Sequence, residues 1–475
     1  MKTNKLMSLM AAFSICSAIG AQTSFDAAKL YEEELNGTAR YVGMGGAMSA
    51  LGSDLSVISH NPAGIGTYHN SDVNMSVSFF GASVNTDPLC TSVNPGDANG
   101  CLYYSNNVKS DINVAFDNFS AVFSGFDAGD NYVNFGISYR KLQNMDRIMD
   151  YYDGYVDADD YPRLRDYKDH QRNKVNSFDF NISCNLSDLV YLGWTVGILS
   201  TDTWSEGLFD DVYEDITLVP DSLLHDTSVD KMNTSKGSGW NMAFGVIVRP
   251  IPALRLGASI KTPTYYKQKL DYVDYLYYKD GVPQDGLDDV AFEISQDYSF
   301  SSPWSLNLSA GLTIGKTAIG AEFERHFTQR SSLSISNTRM DNQGAIDYKD
   351  YSSLKLGIEQ NISNLSLRAG YNLVESMFNA NSVQDISNAG FNSERMDFQL
   401  DRPGKKQYFT GGIGYCSAPD RDGTQFYFDL AYVHGIRNSE LNMMEYFDAD
   451  GFVIDPYVNY QYKTDKVLLT FGWSF

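Results

Sequence analysis

After its first 21 residues the chain has no apolar run that reaches the roughly 18 residues a membrane-spanning helix needs. A helical membrane bundle is therefore excluded. Cations are scarce as well: 36 Lys and Arg face 59 Asp and Glu, a net charge of -23. That balance argues against nucleic acid as a partner and against docking on anionic headgroups. Cysteine is sparse, at 5 in 475 residues, and no spacing resembles a zinc site. No G-x-S-x-G element occurs, and no Ser/His or paired-carboxylate constellation stands out, so no enzyme is expected and no catalytic residue is assigned.

What is present is aromatic and small. Tyr and Phe number 32 and 27, Gly 39, and charged residues make up only 20% of the chain. This is not a disordered composition. At the N-terminus, Lys2 and Lys5 precede an apolar stretch from Leu6 to Ile19 and the small pair Gly20-Ala21. Residues 1–21 read as a secretory signal peptide. In an oxidising compartment Cys90 and Cys101, close together in a polar Asn/Gly/Pro stretch, form a candidate loop disulfide, with two free thiols as the alternative. Cys184 and Cys416 read as wall positions.

From residue 72 onward the dominant signal is period-two alternation. Val73, Met75, Val77 and Phe79 alternate with Asn74, Ser76 and Ser78; Trp240, Met242, Phe244, Val246 and Val248 alternate with small or polar residues. About 14 such strands are expected, near 72–84, 112–124, 131–141, 177–186, 189–200, 238–249, 254–263, 303–314, 317–327, 352–360, 364–373, 407–416, 425–434 and 465–475. The connections alternate between short and long, with long ones at 142–176 and 201–237 among others. That pattern fits a transmembrane antiparallel β-barrel with short periplasmic turns and long outer loops. Only a closed barrel satisfies every backbone group of a lipid-embedded strand, so the apolar face must point outward. The last strand ends on Phe475, the end expected of proteins that the barrel-assembly machinery inserts into the outer membrane. The alternation slips at Asp117-Asn118, between Ile112/Val114/Phe116 on one parity and Phe119/Ala121/Phe123 on the other, which marks a candidate wall bulge.

Residues 22–71 do not alternate. FDAAKLYEEELN reads as a short helix, and the Gly-, Ala- and Ser-rich stretch after it suits close backbone packing. A barrel this wide needs more than its own wall side chains to fill it, so this segment is expected as a hatch, or plug, inside the lumen. The division is then signal at 1–21, hatch at 22–71 and barrel at 72–475.

Within that segment Ala39-Arg40, Gly43-Met44-Gly45-Gly46-Ala47, Asp54-Leu55-Ser56 and above all Asn61-Pro62-Ala63-Gly64 resemble the long-chain fatty-acid transporter (FadL/TodX) family of outer membrane proteins. LRLGASIKTPT (254–264) and LSLRAGYN (365–372) resemble that family's barrel strands. The resemblance implies an outer-membrane monomer for passive uptake of hydrophobic compounds, with long-chain fatty acids or similar lipids as the leading class, without a cofactor or metal. Outer loops would catch the ligand, the hatch would move with Asn61, Pro62, Ala63 and Gly64 as its gate, and exit through the wall into outer membrane lipid would follow. Some relatives with this barrel instead carry or anchor a protein partner in secretion. Others bear a haem-receptor label, which would require axial ligands among six scattered His.

Overall fold

The computed structural model describes residues 30–86, 102–104, 108–127, 131–156, 162–213, 225–280, 290–328, 332–335, 338–340, 349–378, 400–402, 404–442, 446–447, 453–454 and 457–475. The signal region, Cys90 and Cys101 lie outside them, as does most of the acidic stretch 448–455.

Fourteen antiparallel strands form the wall: β1 (Asp72–Thr86), β2 (Asn113–Asp127), β3 (Asn131–Val156), β4 (Pro162–Leu186), β5 (Val190–Tyr213), β6 (His225–Ile251), β7 (Leu254–Lys261 and Tyr265–Asp280), β8 (Val290–Ser301 and Trp304–Ile314), β9 (Thr317–Phe327), β10 (Tyr351–Ile362), β11 (Leu365–Val374), β12 (Lys406–Cys416), β13 (Gln425–Asn442) and β14 (Tyr457–Ser474). Each pairs with the next, and β1 pairs with β14 from Asp72↔Ser474 to Thr86↔Tyr460, so the sheet closes on itself. Both chain ends of the wall lie at the end that carries the tight turns. Those turns have left-handed residues at Ser187, Asp188, Gly315, Ser363 and Gly423. Gly315-Lys316 is the tight turn of the β8–β9 hairpin.

The two faces of the wall differ as the alternation requires. Met75, Phe79, Phe178, Phe180, Trp194, Phe244, Leu308, Leu356, Leu430 and Phe471 are exposed on the outside. Ser76, Ser120, Asn134, Asp179, Asn181, Asn241, Asn307, Glu322 and Thr470 are buried on the inside. An inside-out polarity of this kind is stable in lipid and unfavourable in water. Register places Tyr139, Phe178, Ile198, Trp240 and Tyr265 side by side across β3 to β7. This row is an aromatic edge to the apolar band, as expected at a membrane interface.

Two expectations are corrected. The segments 142–156, 162–176 and 201–213, expected as loop, are strand. Above the lipid band both faces of a strand meet water or polar groups. The ladder continues there without the hydrophobic alternation that signals it. Residues 30–36 are irregular and turn-like rather than helical; the charges they carry are drawn to different parts of the wall.

β7 and β8 are each interrupted at one level, at Thr262–Thr264 and at Ser302-Pro303. Pro263 and Pro303 lack the N–H a ladder needs. The adjoining residues reconnect the strands, with Ser302 N donating to Thr264 O at 3.0 Å and Thr264 N donating to Ser302 Oγ at 2.8 Å.

Candidate functional site: the inner segment and a gap in the wall

Residues 30–71 pack against inward-facing wall residues. They hold a short helix α1 (Ala39–Gly43) and two 3-10 turns, Leu55–Ser59 and Pro62–Thr67. A chain this irregular leaves many peptide groups without partners, and the polar inner wall supplies them. Asn134 Nδ2 donates to Ile65 O and Tyr68 O, each at 2.9 Å. Thr195 Oγ1 donates to Ile58 O at 2.7 Å and Thr410 Oγ1 to Gly43 O at 3.1 Å. Ala39 N donates to Thr470 Oγ1 at 2.7 Å.

Asn61 caps the second 3-10 turn by accepting from Ala63 N at 3.2 Å, and its Nδ2 donates to Val246 O of β6 at 3.3 Å. Pro62 occupies the first position of the turn, where a missing N–H costs nothing. The wall makes room for this corner with glycine: a Cβ on Gly245 would overlap Asn61 Oδ1. The same holds at Gly320 of β9, where a Cβ would collide with the Ala47 carbonyl oxygen. The residues singled out by the Asn-Pro-Ala-Gly motif are thus fully buried at the contact between segment and wall.

Charge ties the segment down at separate points. Arg40 makes a two-pronged pair with Glu359 of β10, at 2.9 and 3.0 Å, and its third nitrogen donates to Ser53 O at 2.7 Å. Arg368 of β11 joins Glu359 from the other side at 2.6 Å and continues to Asp429. The run Glu32-Glu33-Glu34 fans out. Glu32 pairs with Lys406 and with Arg437 (3.1 Å), Glu33 with Lys261. Burial opposes the Glu33 charge, but Lys261, His60 and Arg140 together hold its carboxyl down to about 2.

Among the described residues one His/Glu group brings three metal-type ligand atoms together: His60, Glu322 and Glu324. Lys355 already supplies the positive charge there, its Nζ lying 2.6 Å from Glu322 and 3.2 Å from Glu324. His60 is stacked on Tyr41, with ring centroids 5.8 Å apart. Burial, and then Lys355, depress its pKa to about 4.

The third member of the acidic run leads to the wall's main irregularity. Pairing of β2 with β1 shifts between Ser76↔Asn118 and Val77↔Phe116, so Asp117 is the extra residue of a bulge. Pairing of β2 with β3 spans only Asn118↔Arg140 to Asp127↔Tyr132. Residues 113–117 stay on β1 while β3 continues on β4, and the wall opens between β2 and β3. β3 has its own bulge at this level, between Lys141 and Gln143, with Leu142 buried. Glu34 covers the opening from inside: its N–H donates to Leu142 O at 2.9 Å, and its carboxylate accepts from Asn144 N at 3.2 Å. At the far end of the gap Asn113 Nδ2 reaches Asp146 Oδ2 at 3.4 Å. Asn118 is well bonded, to Asn74 at 2.8 Å and Ser120 at 2.6 Å.

An apolar cluster and a polar cavity flank the segment. On the loop side Leu30, Tyr31, Leu142, Tyr266, Leu270, Phe300 and Phe378 belong to one buried apolar cluster. On the turn side a polar cavity of about 720 Å³ is lined by Arg40, Asp54, Asp72, Glu359, Arg368, Cys416 and Asp429, among others. The glutamate run, the wall glycines and the Pro263/Pro303 breaks were missed in the sequence. Their signals were present only as a charge run in a supposed helix and as Gly and Pro inside alternating strands.

A closed barrel with an apolar outer band and a tethered inner segment defines the class of lipid-facing β-barrels that hold part of their own chain inside. No protein-family model matches the sequence, and no curated protein matches it. Solved structures do. A Pseudomonas aeruginosa FadL homologue superposes with a TM-score of 0.60 at 14% identity, over 92% of this chain and 99% of that one. The P. putida toluene transporter TodX gives 0.55 at 13%, over 93% and 99%. The CymD monoaromatic hydrocarbon channel gives 0.52 at 12%, over 92% and 97%. The chain has the FadL/TodX-type barrel fold.

Proposed function

We propose that the protein is a passive outer-membrane transporter of hydrophobic compounds, with long-chain fatty acids or similar lipids as the leading substrate class. Outer loops capture the solute, and the apolar cluster above the inner segment receives it. Residues 30–71 act as a hatch that moves about the Asn61–Gly64 corner, and the solute leaves sideways through the gap between β2 and β3. The observation that carries this reading is the interrupted β2–β3 pairing at the outer edge of the apolar band, covered from inside by Glu34 of the segment itself. Backbone left unpaired at membrane depth is tolerated where it lines a cavity or passage. The fold neighbours named as a toluene transporter and a hydrocarbon channel support the same class of cargo.

The test is uptake of radiolabelled oleate and toluene by cells that lack their own outer-membrane carrier for them. Wild type should accelerate uptake of at least one. Deleting Asp117, which joins Phe116 to Asn118 and restores continuous pairing, should abolish that gain while heat-modifiable gel mobility shows the barrel intact. Undiminished uptake by the deletion variant would reject lateral exit.

A further inference from the structure

The outer face of the wall changes sign just beyond the aromatic edge. Register carries two further rows across β4 to β7 above Phe178, Ile198, Trp240 and Tyr265. The first is Asn176, Ser200, Ser238 and Lys267; the second is Lys174, Asp202, Lys236 and Lys269. Half of these residues are lysines, all exposed, in a chain whose net charge is -23. Lys236 and Lys269 stand directly opposite each other on neighbouring strands, an arrangement that like charges disfavour. Lys269 is balanced by Asp271 at 3.2 Å. Among the described residues Lys174, Lys236 and Lys267 form no ion pair. The acids at their level are Asp202 and, beside Lys269 on β8, Asp297. One row higher, Asp146 is engaged by His170 at 2.7 Å, and Arg172 lies over Trp204 at 5.5 Å. On the opposite arc the level just past Val467 carries instead Asp465, held by Tyr432 and His434 at 2.5 and 2.8 Å.

Two residues along a strand rise about 6.7 Å, or about 5 Å in height for a strand tilted near 40°. The two rows therefore lie ~5 and ~10 Å beyond the aromatic edge, at the depth of head groups rather than acyl chains. We propose that this patch is a docking surface for a phosphorylated glycolipid of the surrounding outer leaflet. Its phosphates would be held by Lys174, Lys236 and Lys267, and its acyl chains would lie on the apolar band below Trp240 and Tyr265. Lys236 and Lys267 are diagonal neighbours across β6 and β7, about 7 Å apart at their roots, so one phosphate fits between two ammonium groups. A phosphate monoester carries close to two charges and answers both lysines; a single carboxylate does not. The lysine stems suit this depth, since they lie on apolar surface while the charged end reaches the polar layer. The acidic total of the chain argues against anionic head groups only where charge is spread evenly, and on this arc it is not. The proposal needs the outer-membrane placement but not the transport route.

The experiment titrates delipidated full-length protein in detergent with fluorescent diphosphoryl lipid A and with the same lipid stripped of both phosphates. Wild type should bind the phosphorylated form about tenfold more tightly. Lys236→Gln keeps the stem and loses the charge. It should weaken binding about fivefold, and K174Q/K236Q/K267Q together on the order of a hundredfold. Lys463→Gln, on the opposite arc, should bind as wild type does. Heat-modifiable gel mobility reports that each variant keeps its barrel. Oleate and toluene uptake by the same variants separates the two readings: lipid binding lost with uptake intact supports the patch and leaves transport standing. Equal binding of the two lipids would overturn the patch, as would equal losses in K236Q and K463Q. Displacement of the lipid by pyrophosphate as effectively as by unlabelled lipid A would mark a site for a soluble anion and overturn the lipid assignment.

Discussion

Single side chains decide how the segment is held. Glu32, Glu33 and Glu34 follow one another in sequence, yet reach β12 and β13, β7 and β3 respectively. A helix would have kept them within a single turn; the irregular backbone lets each find its own partner. This is why the segment's start was misread: helix propensity is a weak prior that tertiary charge pairing overrides. Asn61-Pro62 stood out in the sequence only through its resemblance to a family motif; that the Asn61 amide caps a turn begun by Pro62 was seen only in the fold. Glu34→Ala removes the acceptor for Asn144 N. Hydrogen exchange at Asn144 should then speed up by about tenfold, with distant strands unchanged. His60 sets a pH dependence. Its docked pKa of about 4 lies below the usual 6.5, so the undocked segment binds a proton that the docked one refuses. Docking is unaffected above about 6.5 and weakens as pH falls toward 4. Exchange protection over residues 55–68, corrected for intrinsic rates, should decline across that window in wild type and stay flatter in His60→Gln.

At the scale of elements, strand positions in the lipid band were legible because lipid imposes the alternation. Met75 and Phe79 on β1, or Leu306 and Leu308 on β8, face outward for no other reason. The upper halves of β3 to β6 were not legible, since nothing there forces two unlike faces. Asp117 showed itself as a slip of parity, but its place as a bulge at the edge of a gap could be seen only with β1 and β3 in place. The wall glycines make a separate prediction. Gly320→Val suits a strand by propensity and leaves the barrel's ladder intact, but its side chain would enter the space of the Ala47 carbonyl. The barrel should form and the segment should seat poorly, so ion conductance in planar bilayers should rise well above wild type. Conductance equal to wild type would mean that the segment can shift without opening a path.

At the scale of the whole molecule, the ladder acts as a hoop. Force applied anywhere on the circumference is carried from strand to strand by the hydrogen-bonded rungs, and it concentrates where rungs are missing. The join between first and last strand, the only place where the wall is not covalently sequential, is rung along all 15 residues of β1. The weaker seam lies two strands away, between β2 and β3, where pairing stops at Asn118↔Arg140. Such a cylinder has a strong closure and a soft line close to it. Changes in bilayer lateral tension or thickness would dilate it along that line first, so the mechanical state of the surrounding membrane becomes an input to how far the wall stands open.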